Sequence, residues 1–124
     1  MAIATHSRRV TRRYAISKNH EARLELMWPG PAGVRMDLPL TDLSISGLSF
    51  RFRDEIHGLE SGTNLSSVVI RLGKCEIHGD LLVMHVTSLD SGETQCGALF
   101  YPANDADLLQ LKSAIAGIEA VMAD

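Results

Sequence analysis

A chain of 124 residues with 45% apolar and 22% charged residues fits one folded domain around a single core, and argues against both disorder and a membrane protein. Net charge is −3, yet Arg8, Arg9, Arg12 and Arg13 contribute +4 and leave −7 for the rest of the chain. So concentrated a positive charge suits a local anion site better than a broad nucleic-acid-binding face.

No apolar run approaches the length of a bilayer span, and arginines stand where a secretory leader would have its apolar core, so a cytoplasmic location is expected. Residues 1–7 have no periodic pattern and read as a mobile tail. The arginines follow at once. Arg9 and Arg13 share a face at i, i+4 spacing whether the segment is helical or extended, so they can converge on one anion.

From Glu21, the residues Ala22, Leu24, Leu26 and Trp28 alternate with Arg23, Glu25 and Met27, which predicts a half-buried strand. Pro29 to Gly33 is a turn, and Val34 to Leu40 a second strand with Pro39 marking its end, because proline lacks the ladder donor. Asp42 to Gly47 reads as a tight polar turn. It feeds a strand in which Leu48, Phe50 and Phe52 alternate with Ser49, Arg51 and Arg53, giving one apolar and one cationic face.

Asp54 to Asn64 is a polar loop. Val68, Ile70 and Leu72 open the next strand, which stops at Gly73-Lys74, and a long strand covers Cys75 to Ser88. Its apolar positions change parity from Ile77 to Leu82, Met84 and Val86, which predicts a bulge across Gly79-Asp80. After a turn at Leu89 to Gly92, Glu93 to Tyr101 forms the last strand. Consecutive strands with short turns imply an antiparallel sheet closed into a small barrel.

The ending changes period. Leu108, Leu111, Ile115, Ile118 and Met122 recur at three and four and draw one apolar stripe along a helix, with Asn104 as N-cap and Asp107 completing a capping box. This stripe is expected to cover an open edge or end of the barrel, with dimerisation as the weaker alternative.

Chemistry-bearing residues are few. Cys75 and Cys96 lie on separate predicted strands without metal-ligand spacing and read as two reduced, buried thiols. His6, His20, His57, His78 and His85 are scattered, with no metal-ligand pattern, although His85 or Met84 could lie under a base from its strand position. Ser44 and Ser46 lack a nucleophile-elbow context and no phosphate-cradling glycine loop is present, so no enzyme is expected. Taken singly, the arginine run reads as a solvated tail and Asp42 to Gly47 as a turn.

Taken together, Arg9-Val-Thr-Arg-Arg13 followed by Asp42-Leu-Ser44-Ile-Ser-Gly47 resembles the two signatures of the PilZ domain, RxxxR and D/N-x-S-x-x-G, in the same order. The ending Gly97-Ala-Leu-Phe100 and the C-terminal helix extend the likeness over essentially the whole chain. The resemblance implies a flexible arm at residues 1–14, then a domain at residues 15–124 built as a six-stranded antiparallel β-barrel with a C-terminal helix near residues 104–123. It implies further that the domain binds the bacterial second messenger cyclic di-GMP, with Arg9 and Arg13 gripping phosphate and guanine and Asp42, Ser44 and Gly47 contacting guanine. Arg8 and Arg12 satisfy the first spacing too. Tyr14 favours the Arg9 and Arg13 register, since an aromatic residue often follows there in the family, and Arg8 remains an additional contact.

A receptor of this kind would signal to a downstream protein in motility, biofilm or exopolysaccharide control. Two alternatives stay open: a PilZ-like protein-interaction module that leaves its ligand site unused, and a small barrel holding single-stranded nucleic acid through its arginines. The second is poorly provided with aromatics for base stacking.

Overall fold

Seven strands and one helix account for the regular structure of the computed structural model, which describes residues 14–15, 22–29, 33–53 and 56–123, with helix side chains as far as residue 118. The strands are β1 (Tyr14–Ala15), β2 (Ala22–Trp28), β3 (Val34–Leu43), β4 (Gly47–Phe52), β5 (Asn64–Leu72), β6 (Cys75–Ser88) and β7 (Thr94–Pro102), followed by helix α1 (Asp105–Ala123). Every pairing is antiparallel. The order β3-β2-β5-β6-β7-β4 closes on itself through β3–β4, making a six-stranded barrel to which β1 adds a short seventh strand on β3. Closure pairs the edge groups that an open sheet would leave exposed.

Alternation explains the interior. Leu24, Leu26, Leu38, Leu43, Leu48, Phe50, Ile70, Ile77, Leu81 and Val83 are almost fully buried, while the intervening Arg23, Asp37, Arg71 and Glu76 lie outside. Each such side chain contributes about 1.5–3 kcal/mol by leaving water. Outside, Arg71 bonds both Glu76 and Glu25, Arg35 reaches Glu25 at 3.5 Å, and Arg23 meets Asp37 at 2.9 Å. Arg71 stands directly opposite Glu76, the other pairs reach diagonally across neighbouring strands, and all add little stability at an exposed surface.

Three details depart from the sequence expectation. Pro39 does not end β3, which runs on to Leu43. It sits where β3 changes partner, since β2 pairs only as far as Pro39 and β4 begins at Leu40, so its missing donor falls at a junction. The extra residue in β6 is Met84, between the pairs Val83↔Ala98 and His85↔Gly97; at Gly79-Asp80 the ladder is also irregular, but there the extra residue belongs to β5, where Ser66 and Ser67 stand opposite Asp80. Gly79 keeps the inward parity of Ile77 and Leu81. It lacks a side chain because β7 fills that place: a Cβ there would stand 2.3 Å from the Tyr101 carbonyl oxygen and 2.7 Å from the Phe100 ring. The segment after β4 is also less polar in character than its composition suggests, for Ile56 and Leu59 are buried in the core. Trp28 Nε1 donates to the His57 carbonyl at 3.0 Å and ties that segment to β2.

Helix α1 packs on β6 and β7 and touches β1. Leu111, Ile115 and Ile118 are buried in the barrel's own core cluster, so the stripe covers the barrel as expected, whereas Leu109 is exposed. Met122 lies beyond the described side chains. Asn104 caps the helix, accepting from the Asp107 amide at 3.0 Å. Asp107 does not complete a capping box; its buried carboxylate accepts from the His78 amide of β6 at 2.8 Å and pins the helix to the barrel.

Cys75 and Cys96 are free thiols on β6 and β7; Cys96 is buried as expected, but Cys75, at the first position of β6 beside the turn, is only half-buried. Burial pushes the Cys96 thiol up to about 12.

Candidate functional site

Asp42 belongs to β3 rather than to the turn. It pairs with Ala15 on one side and Ser49 on the other, after a bulge at Thr41 that lies between the pairs Leu40↔Phe50 and Asp42↔Ser49. Ser49 stands between the inward Leu48 and Phe50, so by alternation it and its partners point away from the core, with Ser49 itself covered to 1% exposure. Ser49 pairs with Gly97 of β7, and Gly97 with His85 of β6. One cross-strand row therefore runs Ala15, Asp42, Ser49, Gly97, His85 over about 19 Å of barrel surface, at about 4.8 Å per strand.

The turn that follows Asp42 is held by Ser44. Its hydroxyl accepts from the amides of Gly47 at 3.1 Å and Ser46 at 3.3 Å and donates to the Gly47 carbonyl at 3.2 Å, while its own amide donates to that carbonyl at 2.8 Å. Ser44 is 1% exposed. A hydroxyl so surrounded fixes the shape of the loop between β3 and β4.

Gly47 answers a different demand. A Cβ at this position would lie 2.5 Å from the Ala98 carbonyl oxygen of β7, so the side chain is excluded by the barrel's own backbone. The Phe100 amide, donating to the Ser46 carbonyl at 2.9 Å, fastens the turn to β7. Across the row, a Cβ on Gly97 would stand 2.3 Å from Cε1 and Nε2 of His85, so the imidazole lies directly over this glycine. Beside it, Arg51 Nε donates to Gln95 at 3.0 Å.

Arg8, Arg9 and Arg13 lie outside the described residues, as do Arg12, the expected tail and all of the expected arm but Tyr14. The next residue in sequence is described: Tyr14 is 7% exposed and pairs with Leu43, as Ala15 does with Asp42. The chain thus enters the barrel directly beside the second motif. Sequence periodicity had no means of finding this, because a two-residue strand has no period to detect.

Two further features belong to the site. His85, a guess from strand position in the sequence, shares the row with Asp42. Thr41, which nothing in the sequence singles out, buries its hydroxyl oxygen without a hydrogen-bond partner among the described residues, next to Asp42.

No family model matches this sequence, and no curated protein matches it. Solved structures do. The chain resembles MrkH of K. pneumonia in complex with c-di-GMP (TM-score 0.75, 18% identity, 87% of this chain and 50% of that one). It is similar to YcgR of Escherichia coli in complex with c-di-GMP (TM-score 0.73, 16% identity, 93% and 47%). It also resembles the PilZ domain with c-di-GMP of the same YcgR (TM-score 0.72, 15% identity, 93% and 94%). The chain spans about half the length of MrkH and YcgR but nearly all of the isolated domain. Its fold is that of a PilZ domain.

Proposed function

We propose, from the PilZ fold and the row of groups beside Tyr14, that this chain is a cytoplasmic receptor for cyclic di-GMP. The observation that carries the reading is the pairing of Tyr14 and Ala15 with Leu43 and Asp42, since it tethers the arginine segment next to the D-x-S-x-x-G turn. Arg9 and Arg13, with Arg8 in support, grip the phosphates and a guanine edge through charge-assisted, forked hydrogen bonds that a permanently charged guanidinium makes at any physiological pH. The Asp42 carboxylate accepts from guanine N–H groups. Ser44 and Gly47 hold the turn so that its backbone meets the ligand at a fixed place, and the His85 imidazole over Gly97 gives a guanine a flat surface.

The remaining steps are mechanical. Four like charges on residues 1–14 repel one another until a dianion compensates them, so binding draws the arm onto the barrel. Tyr14 passes that change on, because β1 touches both β3 and α1. A downstream protein reads the altered surface, and the domain itself catalyses nothing.

Isothermal titration with cyclic di-GMP, against cyclic di-AMP and GTP, tests the reading. Saturable heat with cyclic di-GMP alone supports it, and absence of heat and of amide chemical-shift change at high ligand concentration sinks it. A steep loss of affinity with salt for single-stranded oligonucleotides, with none for the dinucleotide, would move the arginines to a polyanion role.

A further inference from the structure

The bulge at Met84 decides which way His85 faces. In an unbroken strand the residue after inward Val83 would face out, His85 would turn into the apolar interior, and Val86 would face water. With one extra residue, Met84 and His85 both lie exposed and Val86 packs against the core. A single misplaced residue would therefore bury an imidazole and remove it from the row shared with Asp42.

Strand β6 does not hold this bulge by itself. The segment 61–63 lies alongside it: the Gly62 amide donates to the Val83 carbonyl at 2.7 Å, the Val83 amide donates to the Thr63 carbonyl at 2.9 Å, and Ser61 Oγ donates to the carbonyl of Met84, the extra residue, at 2.7 Å. The turn is closed in its turn by Thr63, whose amide donates to the Glu60 carbonyl at 3.1 Å, and by Gly62 at φ 92°. Bulges leave backbone groups off the ladder, and those groups have to be satisfied from elsewhere. Here the Met84 carbonyl is satisfied by one exposed serine hydroxyl from another part of the chain.

We propose that Ser61 is a positioning residue for the ligand site, acting through the Met84 bulge to set the His85 imidazole over Gly97. The proposal rests on the receptor reading for its link to cyclic di-GMP, while the positioning itself stands on geometry alone. Ser61 touches no ligand. It fixes the register that gives a purine base one flat ring, and Met84 beside it, on the outer face.

The test uses the full chain with Ser61→Ala, Ser61→Thr and His85→Ala. In the ligand-free protein, the nuclear Overhauser contact between the His85 ring protons and the Gly97 α-protons is expected in the wild type and in Ser61→Thr, and lost or strongly reduced in Ser61→Ala. Titration with cyclic di-GMP should show Ser61→Ala weakened about tenfold, approaching His85→Ala, with Ser61→Thr near the wild type. If Ser61→Ala keeps both the His85–Gly97 contact and wild-type affinity, the proposal is overturned. If the contact is lost in Ser61→Ala while the wild type itself binds no cyclic di-GMP, the positioning stands and the receptor reading fails.

Discussion

Replacing Gly47 by alanine tests whether this glycine serves the barrel or the ligand. Its backbone is not in the left-handed region, so conformational freedom is not the reason for it; the reason is the Ala98 carbonyl oxygen 2.5 Å from where a Cβ would stand. Ordinary contact begins at 3.4 Å, so β4 must retreat from β7 by about 0.9 Å. The obstacle is backbone and cannot swing aside. Displacement loosens the pairs Gly47↔Leu99 and Leu48↔Ala98 and the bond from the Phe100 amide to the Ser46 carbonyl. Overpacking costs about 1–3 kcal/mol and each weakened hydrogen bond about 1 kcal/mol, so a loss of about 2–4 kcal/mol is expected. At roughly 4 °C per kcal/mol for a domain of this size, melting followed by circular dichroism should fall by about 8–16 °C without any ligand present. Gly97→Ala supplies the contrast, because its Cβ meets the His85 side chain, which can move: the ring should leave its place while melting changes little. A Gly47→Ala protein that melts within about 3 °C of the wild type would refute the reasoning and assign this glycine to the ligand.

Four other outcomes can be checked. Arg9→Ala or Arg13→Ala should weaken cyclic di-GMP binding about ten- to hundredfold, through loss of charge-assisted bonds of about 1.5–3 kcal/mol, with melting of the free protein nearly unchanged; a large fall in melting temperature would make either a structural residue. Thr41→Val removes a buried hydroxyl that has no partner among the described residues, so chemical denaturation should show a gain of about 1 kcal/mol, and a loss would mean that the hydroxyl is satisfied in solution. Asp107→Ala strips the His78 amide of its acceptor and should cost about 2 kcal/mol, with faster hydrogen exchange at that amide; unchanged protection there would contradict the role given to this carboxylate in docking α1. Cys96 contributes a pH dependence: the unfolded thiol ionises near 9.0 and the native one only near 12, so stability is unaffected below pH 9 and falls by about 1.4 kcal/mol per unit between those values. Comparing alkaline denaturation of the wild type with Cys96→Ala isolates this contribution, and equal slopes in the two proteins would dispose of it.

Much of this molecule was legible from its sequence because period and turn chemistry are local properties. The alternations at Ala22–Trp28 and Leu48–Phe52, and the three-and-four stripe of α1, each state which face meets an apolar core, and the structure places those faces inward, whereas on β6 the core takes Leu81 and Val83 in place of the expected Leu82 and Met84. Asn104 was legible as a cap for the same reason, since capping joins residues three apart.

What failed were readings in which a residue's meaning depends on a distant partner. Pro39 looked like a stop, yet it stands where β3 exchanges β2 for β4. Gly79 looked like a break, yet it makes room for the Tyr101 carbonyl and the Phe100 ring of the neighbouring strand β7. The parity change was real but belonged to Met84, because only pairing with Ala98 and Gly97 identifies the extra residue. The candidate site divides along the same line. Sequence alone nominated the candidates for that chemistry, Arg8, Arg9 and Arg13 on one segment and Asp42, Ser44 and Gly47 on another, since residue type and spacing are its own content. Only the tertiary structure decided that Tyr14 lies against Leu43, that Ser44 is occupied in its own turn, and that His85 shares a row with Asp42. Strand register joins residues tens of positions apart, and no local pattern encodes it.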